Sequence, residues 1–174
     1  DSSLIQYQHE PGNALSISSD FVRQILEDKW GRLWLGTGRG LNLFNQTQGT
    51  FTQFGEEAGL KGEMTMGLLS DDEGNLWISH DKGLSKMLLS ENDSCLLNPV
   101  FYNYDESDGI GGIAFERNAY AKSPSGEMYF GGKNGFIRFH PDSIKLNLWI
   151  PKVYITSVHT EYCPDCPDGY RKRF

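Results

Sequence analysis

A few groups of residues in this 174-residue chain have the types and spacing for chemistry. Cys163-Pro164-Asp165-Cys166 is a CxxC. A structural zinc site needs a second ligand pair, and only lone Cys95 and scattered histidines remain to supply it. A thioredoxin-like redox site needs a βαβ setting, which the surrounding pattern lacks. The pair reads as a turn, with a local disulfide open to it in an oxidising compartment. Two acidic runs, Asp71-Asp72-Glu73-Gly74-Asn75 and Asp105-Glu106-Ser107-Asp108, carry oxygens for calcium. Calcium takes roughly six to eight of them, and neither run has EF-hand spacing. The first reads as a turn and the second as a solvated loop. Gly36-Thr37-Gly38-Arg39-Gly40 is rich in glycine, but no helix follows to offer its N-terminus to a phosphate. His9, His80, His140 and His159 lack HExxH spacing and read as surface or turn histidines. Arg171-Lys172-Arg173 reads as a basic turn. No GxSxG, no carboxylate pair at a motif spacing and no Cys–His pattern is present, so no catalytic residue, metal or cofactor is expected.

The elements that hold these residues follow from a repeat. Residues 28–41 (DKWGRLWLGTGRGL) return as residues 71–84 (DDEGNLWISHDKGL) and again as residues 123–136 (SPSGEMYFGGKNGF). In each copy a turn glycine (Gly31, Gly74, Gly126) precedes an aromatic by three residues (Trp34, Trp77, Tyr129). A second glycine (Gly40, Gly83, Gly135) closes the next turn and is followed by an apolar residue. The first glycine fits a tight hairpin needing positive φ. The aromatic suits packing between neighbouring sheets. Repeats of roughly 40–50 residues with four short strands each mark a β-propeller. Aromatic residues at 13% and 20 glycines agree with short strands and tight turns. The net charge of −7, without a basic stripe, argues against nucleic acid and against an anionic membrane surface.

The expected fold is all-β: a β-propeller fragment of about three four-stranded blades, followed by the first strand of a β-sandwich domain. Residues 1–19 hold the last strand of a preceding blade (residues 3–8) and a polar connection. Blades occupy residues 20–55, 56–105 and 106–150. Residues 151–174 begin the sandwich, with residues 152–158 alternating as a strand. Three blades are too few to close a ring of about 4–8, so a larger propeller is expected around them.

The pattern SxxxVxxIxxDxxGxLWLGTxxGLNxF over residues 18–44, preceded by YQHEPGNALS, resembles the two-component regulator propeller repeat. Residues 71–87 are a second copy. Residues 115–144 resemble the last blade of such arrays, and PKVYITSVH at 151–159 resembles the entry to the small β-sandwich, named for its tyrosines, that follows them. Two departures stand out: Ser79-His80 replaces Gly-Thr, and the third copy lacks the turn aspartate. "SDDEGNLW" at residues 70–77 also fits the Asp-box turn of sialidases, a structural hairpin without catalytic meaning.

The resemblance implies a periplasmic sensor region of a membrane-spanning regulator. Its output is a histidine kinase, often a hybrid, or in some members a diguanylate cyclase. It implies ligands such as oligosaccharides and a homodimer in the intact protein. Propeller ligands meet loops at one face, which here means the residues entering the inner strands: Asp20, Phe21 and Arg23; Glu63, Met64 and Thr65; Glu116, Arg117 and Asn118. Mixed polar and aromatic groups suit sugar hydroxyls and ring faces. Against this stand two other readings, a carbohydrate-active propeller enzyme, which needs an acid and a base converging at the channel mouth, and a protein-interaction propeller.

Overall fold

The structure, a computed structural model, describes residues 4–92, 96, 98–110, 112–144, 159–162 and 170–173. It divides into two compact units, Asp1–Ile144 and Lys145–Phe174. The first unit contains three antiparallel meanders. Strands β1 (Val22–Glu27), β2 (Leu33–Thr37), β3 (Gly40–Asn45) and β4 (Thr50–Phe54) form one sheet in chain order. Strands β5 (Thr65–Ser70), β6 (Leu76–His80), β7 (Gly83–Leu88) and β8 (Val100–Tyr104) form the next. Strands β9 (Phe115–Lys122), β10 (Met128–Gly132) and β11 (Gly135–Phe139) form a third, with three strands among the described residues rather than four. The chain is all-β with blade-like sheets, as the repeat implies. In the second unit β12 (His159–Tyr162) pairs antiparallel with β13 (Tyr170–Arg173), so Arg171-Lys172-Arg173 lies in a strand rather than a turn. The strand expected over residues 152–158, and Cys95, Cys163 and Cys166, lie outside the described residues.

One expected strand is absent. Residues 4–8 are not a strand. A strand needs a partner for its backbone groups, and no described strand pairs with this stretch. Instead Tyr7 sets its ring edge-on to Phe44 and Phe51, 4.9 and 5.6 Å between centroids, closing one face of the first sheet.

The hairpins joining the first two strands of each sheet share one geometry. The Gly31, Gly74 and Gly126 amides each donate 3.0 Å to the carbonyl three residues back, on Asp28, Asp71 and Ser123. Those glycines hold φ of 80°, 95° and 88°, which an L residue adopts only under strain. The aspartates do more than turn the chain. Asp28 accepts from the Trp30 and Arg32 amides at 3.0 Å, from Arg32 Nε at 2.7 Å and from the Trp34 indole N–H at 2.9 Å. Asp71 accepts from the Asn75 amide at 2.7 Å and the Trp77 indole N–H at 3.0 Å, with Lys86 Nζ at 3.4 Å. In the third copy both partners change together. Ser123 Oγ accepts the Glu127 amide at 3.0 Å and lies 2.8 Å from Ser125 Oγ, with no indole bond, and the Tyr129 hydroxyl donates to Glu127 Oε2 at 3.1 Å.

The anchored indoles fill the space between sheets. Trp34 is fully buried with Leu41 and Phe54 of its own sheet and Leu68, Leu76, Ile78 and Met87 of the next. Trp77 plays the same part against Phe115, Met128 and Phe130. Tyr129 is only half-buried.

A second polar arrangement lies inside each of the first two sheets. Thr37 Oγ1 is 2.9 Å from Ser18 Oγ and donates to the Gly40 carbonyl, while Asn42 Nδ2 donates to Ser18 Oγ at 2.7 Å. In the second sheet His80 takes the place of Thr37 and Ser85 that of Asn42. His80 is 1% exposed, so it is a core residue and not the surface or turn histidine expected. Its Nδ1 accepts the Lys82 amide at 3.1 Å, which makes Nε2 the donor to Ser85 Oγ at 2.8 Å. Ser85 passes the direction on to Asn103 Oδ1 at 2.6 Å, and Asn103 Nδ2 donates to the Gly59 carbonyl at 2.9 Å. A methyl group at Gly62 would collide with the imidazole, so glycine is required there.

Three outcomes follow for stability. Asp71→Ala leaves buried donors without an acceptor and is expected to cost about 2–3 kcal/mol in urea unfolding. In a Trp77→Phe background that cost falls by roughly 1 kcal/mol, because the indole donor is gone. An undiminished cost would deny the Asp–indole bond its role. For Asp28, burial alone would raise the carboxyl pKa, but hydrogen bonds from Trp34, Arg32 and Trp30 outweigh it and lower it. Its stabilisation is therefore complete above the unfolded value near 4 and is lost as pH falls through the lower folded value. An acid titration of unfolding should accordingly be less steep below pH ~4 in Asp28→Asn than in the wild type. For His80, burial is the largest cause and Lys82 and Lys61 add to it, lowering the pKa to about 4 against the pull of Asp81. The unfolded chain then binds the extra proton first, so stability falls as pH drops from about 6.5 towards 4. The wild type should lose roughly 3 kcal/mol more over that window than His80→Gln. Parallel pH profiles would sink this account.

Candidate ligand-binding groove

The end of the sheets opposite the Asp–Trp hairpins is less regular, and for a repeated reason. Each inner strand is bulged near its start. Val22 faces Thr37 and Gln24 faces Gly36, which leaves Arg23 unpaired. Thr65 faces His80 and Gly67 faces Ser79, which leaves Met66 unpaired. In the third sheet the step from Phe130 to Gly132 faces the longer step from Tyr120 to Phe115, so residues 116–119 swell out of the ladder. Within that swelling Asn118 has φ 60°, a strained value for a residue with a side chain. Bulges re-aim side chains away from the pleat. Here they turn equivalent positions of successive sheets towards one another: Arg23 Nη1 lies 2.8 Å from Met66 Sδ.

A groove opens at this end of the first two sheets. One part, about 410 Å³, is lined by His9, residues 18–21, Arg23, Gly38, Arg39 and Met64. A second part of about 450 Å³ shares His9, Ser18 and Arg39 and runs on past Gln53 to Gly62 and Glu63. Three segments build its walls. The β2–β3 turn presents Arg39. The chain before β1 is held by the His9 amide donating to Asp20 Oδ1 at 2.7 Å and by His9 Nδ1 at 2.8 Å from the Ile17 carbonyl. The loop entering β5 is fixed by the His80–Ser85–Asn103 chain beneath it and by the Lys61–Asp105 ion pair at 2.5 Å. Phe21 is 76% exposed and Met64 37%, so the groove offers apolar surface beside its charges. A larger cleft, about 840 Å³, lies elsewhere, lined by residues 52–58, Leu96 and residues 98–100.

Burial and a neighbouring like charge act on one groove residue. Desolvation lowers the Arg23 pKa most, Arg117 lowers it further, and Asp81 opposes. Glu116 on the same swelling as Arg117 faces Lys133 at 3.7 Å. Among the described residues no group of three or more His, Cys, Asp or Glu side chains could hold a metal ion. The acidic run at 105–108 is a capped 3-10 turn: Asp105 accepts from the Ser107 amide, and Asp108 from the Asp105 amide, both at 2.9 Å. The glycine-rich run at 36–40 is the β2–β3 turn.

The sequence-derived residues are therefore divided. Asp20, Phe21, Arg23 and Met64 share one part of the groove and Glu63 lines the other. Arg117 is near enough to Arg23 to act on its charge, while Glu116 and Asn118 stand exposed on the β9 swelling. Thr65 does not line the groove. It is 1% exposed and donates to the Gly40 carbonyl at 3.2 Å, a contact between sheets that a surface assignment missed. His9 and Arg39 were not singled out as ligand residues. Arg39 was discernible in principle, since its turn closes at the same end of the sheet at which β1 begins. His9 had no comparable signal.

Comparison with known proteins agrees with the repeat. Residues 16–39 match the family model described as two component regulator propeller. Histidine kinase P4 of Formosa agariphila is 25% identical over 203 residues, covering 88% of this chain and 14% of the kinase. Two solved structures, each described as the extracellular domain of a "putative hybrid two component system" from B. thetaiotaomicron, are also similar. One is 22% identical with a TM-score of 0.49, covering 95% of this chain and 28% of that one. The other is 15% identical with a TM-score of 0.43, covering 77% and 24%. The chain thus spans a small part of each relative. Among the described residues no helix is long and apolar enough to cross a membrane. The segment that matches the two-component regulator propeller model is thus the one that carries the turn aspartate, the buried indole and the bulged inner strand of the first sheet.

Proposed function

We propose that this chain is part of the periplasmic ligand-sensing region of a membrane-spanning two-component signalling protein, and that it binds an oligosaccharide in the groove at the bulged end of its sheets. The observation that carries the reading is the coincidence of two features. The repeat matching the regulator family supplies a rigid frame, and among the described residues the inner-strand bulges turn Arg23 and Met66 out of register and into contact, with Arg23 lining a groove beside exposed Phe21. An aromatic face beside mixed charges suits a sugar ring and its hydroxyls. The intact protein would pair as a homodimer and pass the signal to a cytoplasmic histidine kinase. Ligand would act by favouring one arrangement of the pair, by no more than its difference in affinity for the two.

Calorimetric titration with a panel of oligosaccharides, followed by chromatography of each sugar, tests this. Selective binding with the sugar recovered intact is the expected result. Phe21→Ala should weaken it about tenfold or more, as the loss of a stacking face costs on the order of 1–2 kcal/mol. Breakdown of the sugar would replace the sensor with an enzyme, and binding indifferent to Phe21→Ala would move the site off this groove.

A further inference from the structure

The turn between the second and third strands of each sheet ends in the same place, yet only in the first sheet is its polar side chain left over. In the second sheet the turn residue is Lys82, which pairs with Glu56. In the third it is Asn134, whose Nδ2 donates to the Gly112 carbonyl at 3.4 Å. Both reach the loop that leads into the inner strand of their own sheet. In the first sheet the residue is Arg39. Its amide donates to Thr37 Oγ1 at 3.0 Å, but its guanidinium forms no hydrogen bond or ion pair among the described residues. The carboxylate on the nearby loop is Asp20, whose Oδ1 takes the His9 amide at 2.7 Å.

Arg39 shares a wall with a second cation in the same condition. The part of the groove of about 410 Å³ is lined by both Arg39 and Arg23. The segments that carry them are bonded to each other, since the Gly38 amide donates to the Phe21 carbonyl at 3.0 Å. Arg23 donates to Met66 Sδ at 2.8 Å and to Met64 Sδ at 3.7 Å, and thioether sulfur is a weak acceptor. Its Nε is buried and has no hydrogen-bond partner. This pocket therefore holds two guanidiniums to one carboxylate. The adjoining part reverses the balance, with Glu56 and Glu63 beside Arg39. A pocket of this volume is at the small end for ligands, and a group seated in it is within reach of both long side chains.

We propose that Arg23 and Arg39 form a subsite for one oxyanion, the carboxylate or sulfate ester of an acidic saccharide. The proposal rests on the reading of the groove as a sugar site and adds the chemical class of the sugar. Arg23, fixed by its bulge and the two methionines, is the preorganised donor, and Arg39, exposed on its turn, closes on the ligand. A guanidinium fork matches a carboxylate or a sulfate edge with two parallel hydrogen bonds. Phe21, on the same wall, supplies a ring face for the sugar that carries the charge. A neutral saccharide leaves both cations unpaired and binds less tightly.

The test is calorimetry of the folded protein against a panel of neutral disaccharides, each beside its uronic-acid form and its sulfate ester, at low and at physiological salt. An acidic sugar should bind about tenfold or more tighter than its neutral parent, with the advantage shrinking as salt rises. Whichever arm shows it identifies carboxylate or sulfate. Arg39→Gln, at an exposed position whose side chain bonds to nothing described, should abolish the advantage while retaining the neutral affinity. Arg23→Gln should do the same, with circular dichroism confirming its fold. Arg138→Gln, which removes an exposed cation of the third sheet, should change nothing. Equal binding of acidic and neutral sugars would overturn the subsite and leave the sensor reading standing. An advantage that survives either Arg39→Gln or Arg23→Gln would also overturn it. Binding of no sugar at all would remove both the subsite and the groove as a sugar site.

Discussion

The bond between a turn carboxylate and an indole N–H is the constraint from which the rest of the first two sheets follows. Asp28 and Asp71 are 4% and 5% exposed, deep enough that an ionised carboxylate is tolerated only with several donors around it. Each gets them from its own hairpin and from the tryptophan six residues on. The bond fixes the hairpin, and it also fixes the rotamer of a side chain large enough to reach the next sheet. Because Trp34 and Trp77 point the same way from equivalent turns, each sheet meets its successor at the same depth. The stack is therefore built by repetition of a local hydrogen bond as much as by the apolar contacts it arranges. The third copy makes the same argument from the other side. Where Ser123 replaces the carboxylate, Tyr129 replaces the indole, so no buried N–H is left without its acceptor.

A rigid hairpin end leaves the opposite end free to vary. There the inner strands are bulged, the loops are longer, and the buried polar residues differ from sheet to sheet. Thr37 with Asn42 and Ser18 does in the first sheet what His80 with Ser85 and Asn103 does in the second: it satisfies backbone groups beneath the groove. The hydrogen-bond chain from His80 runs in one direction through to the Gly59 carbonyl, so a single tautomer carries it. That is why the burial of this imidazole couples loop position to protonation.

The frame was readable in the sequence and much of the site was not. Glycine spacing and the Trp, Trp, Tyr series exposed the hairpins, since positive φ and a bulky middle-strand residue leave marks in residue type. What failed did so because its cause is non-local. Residues 4–8 alternate like a strand but find no described partner. His80 looks like a turn histidine because it adjoins Asp81 and Lys82, and only alignment on Thr37 puts it on the inward face. Thr65 was given to the groove for its position at a strand entry, yet the bulge at Met66 rotates it inward. A bulge has no composition of its own. Residue counts between landmarks locate it only once the ladder is known.

The bulges also explain how one repeat can hold the fold constant while its chemistry changes. A residue in register alternates between the two faces of a sheet, and in the β5–β8 sheet both faces are committed to neighbours. A residue outside the register escapes that commitment. Arg23, Met66 and residues 116–119 occupy the same place in three successive sheets, yet they are a cation, a thioether and a strained polar run. Replacing any of them disturbs no ladder hydrogen bond of its own, whereas replacing Asp71 or Trp77 breaks the hairpin. Variation in side-chain chemistry can therefore accumulate at the bulges at little cost to stability, because those side chains are the ones that the ladder does not use.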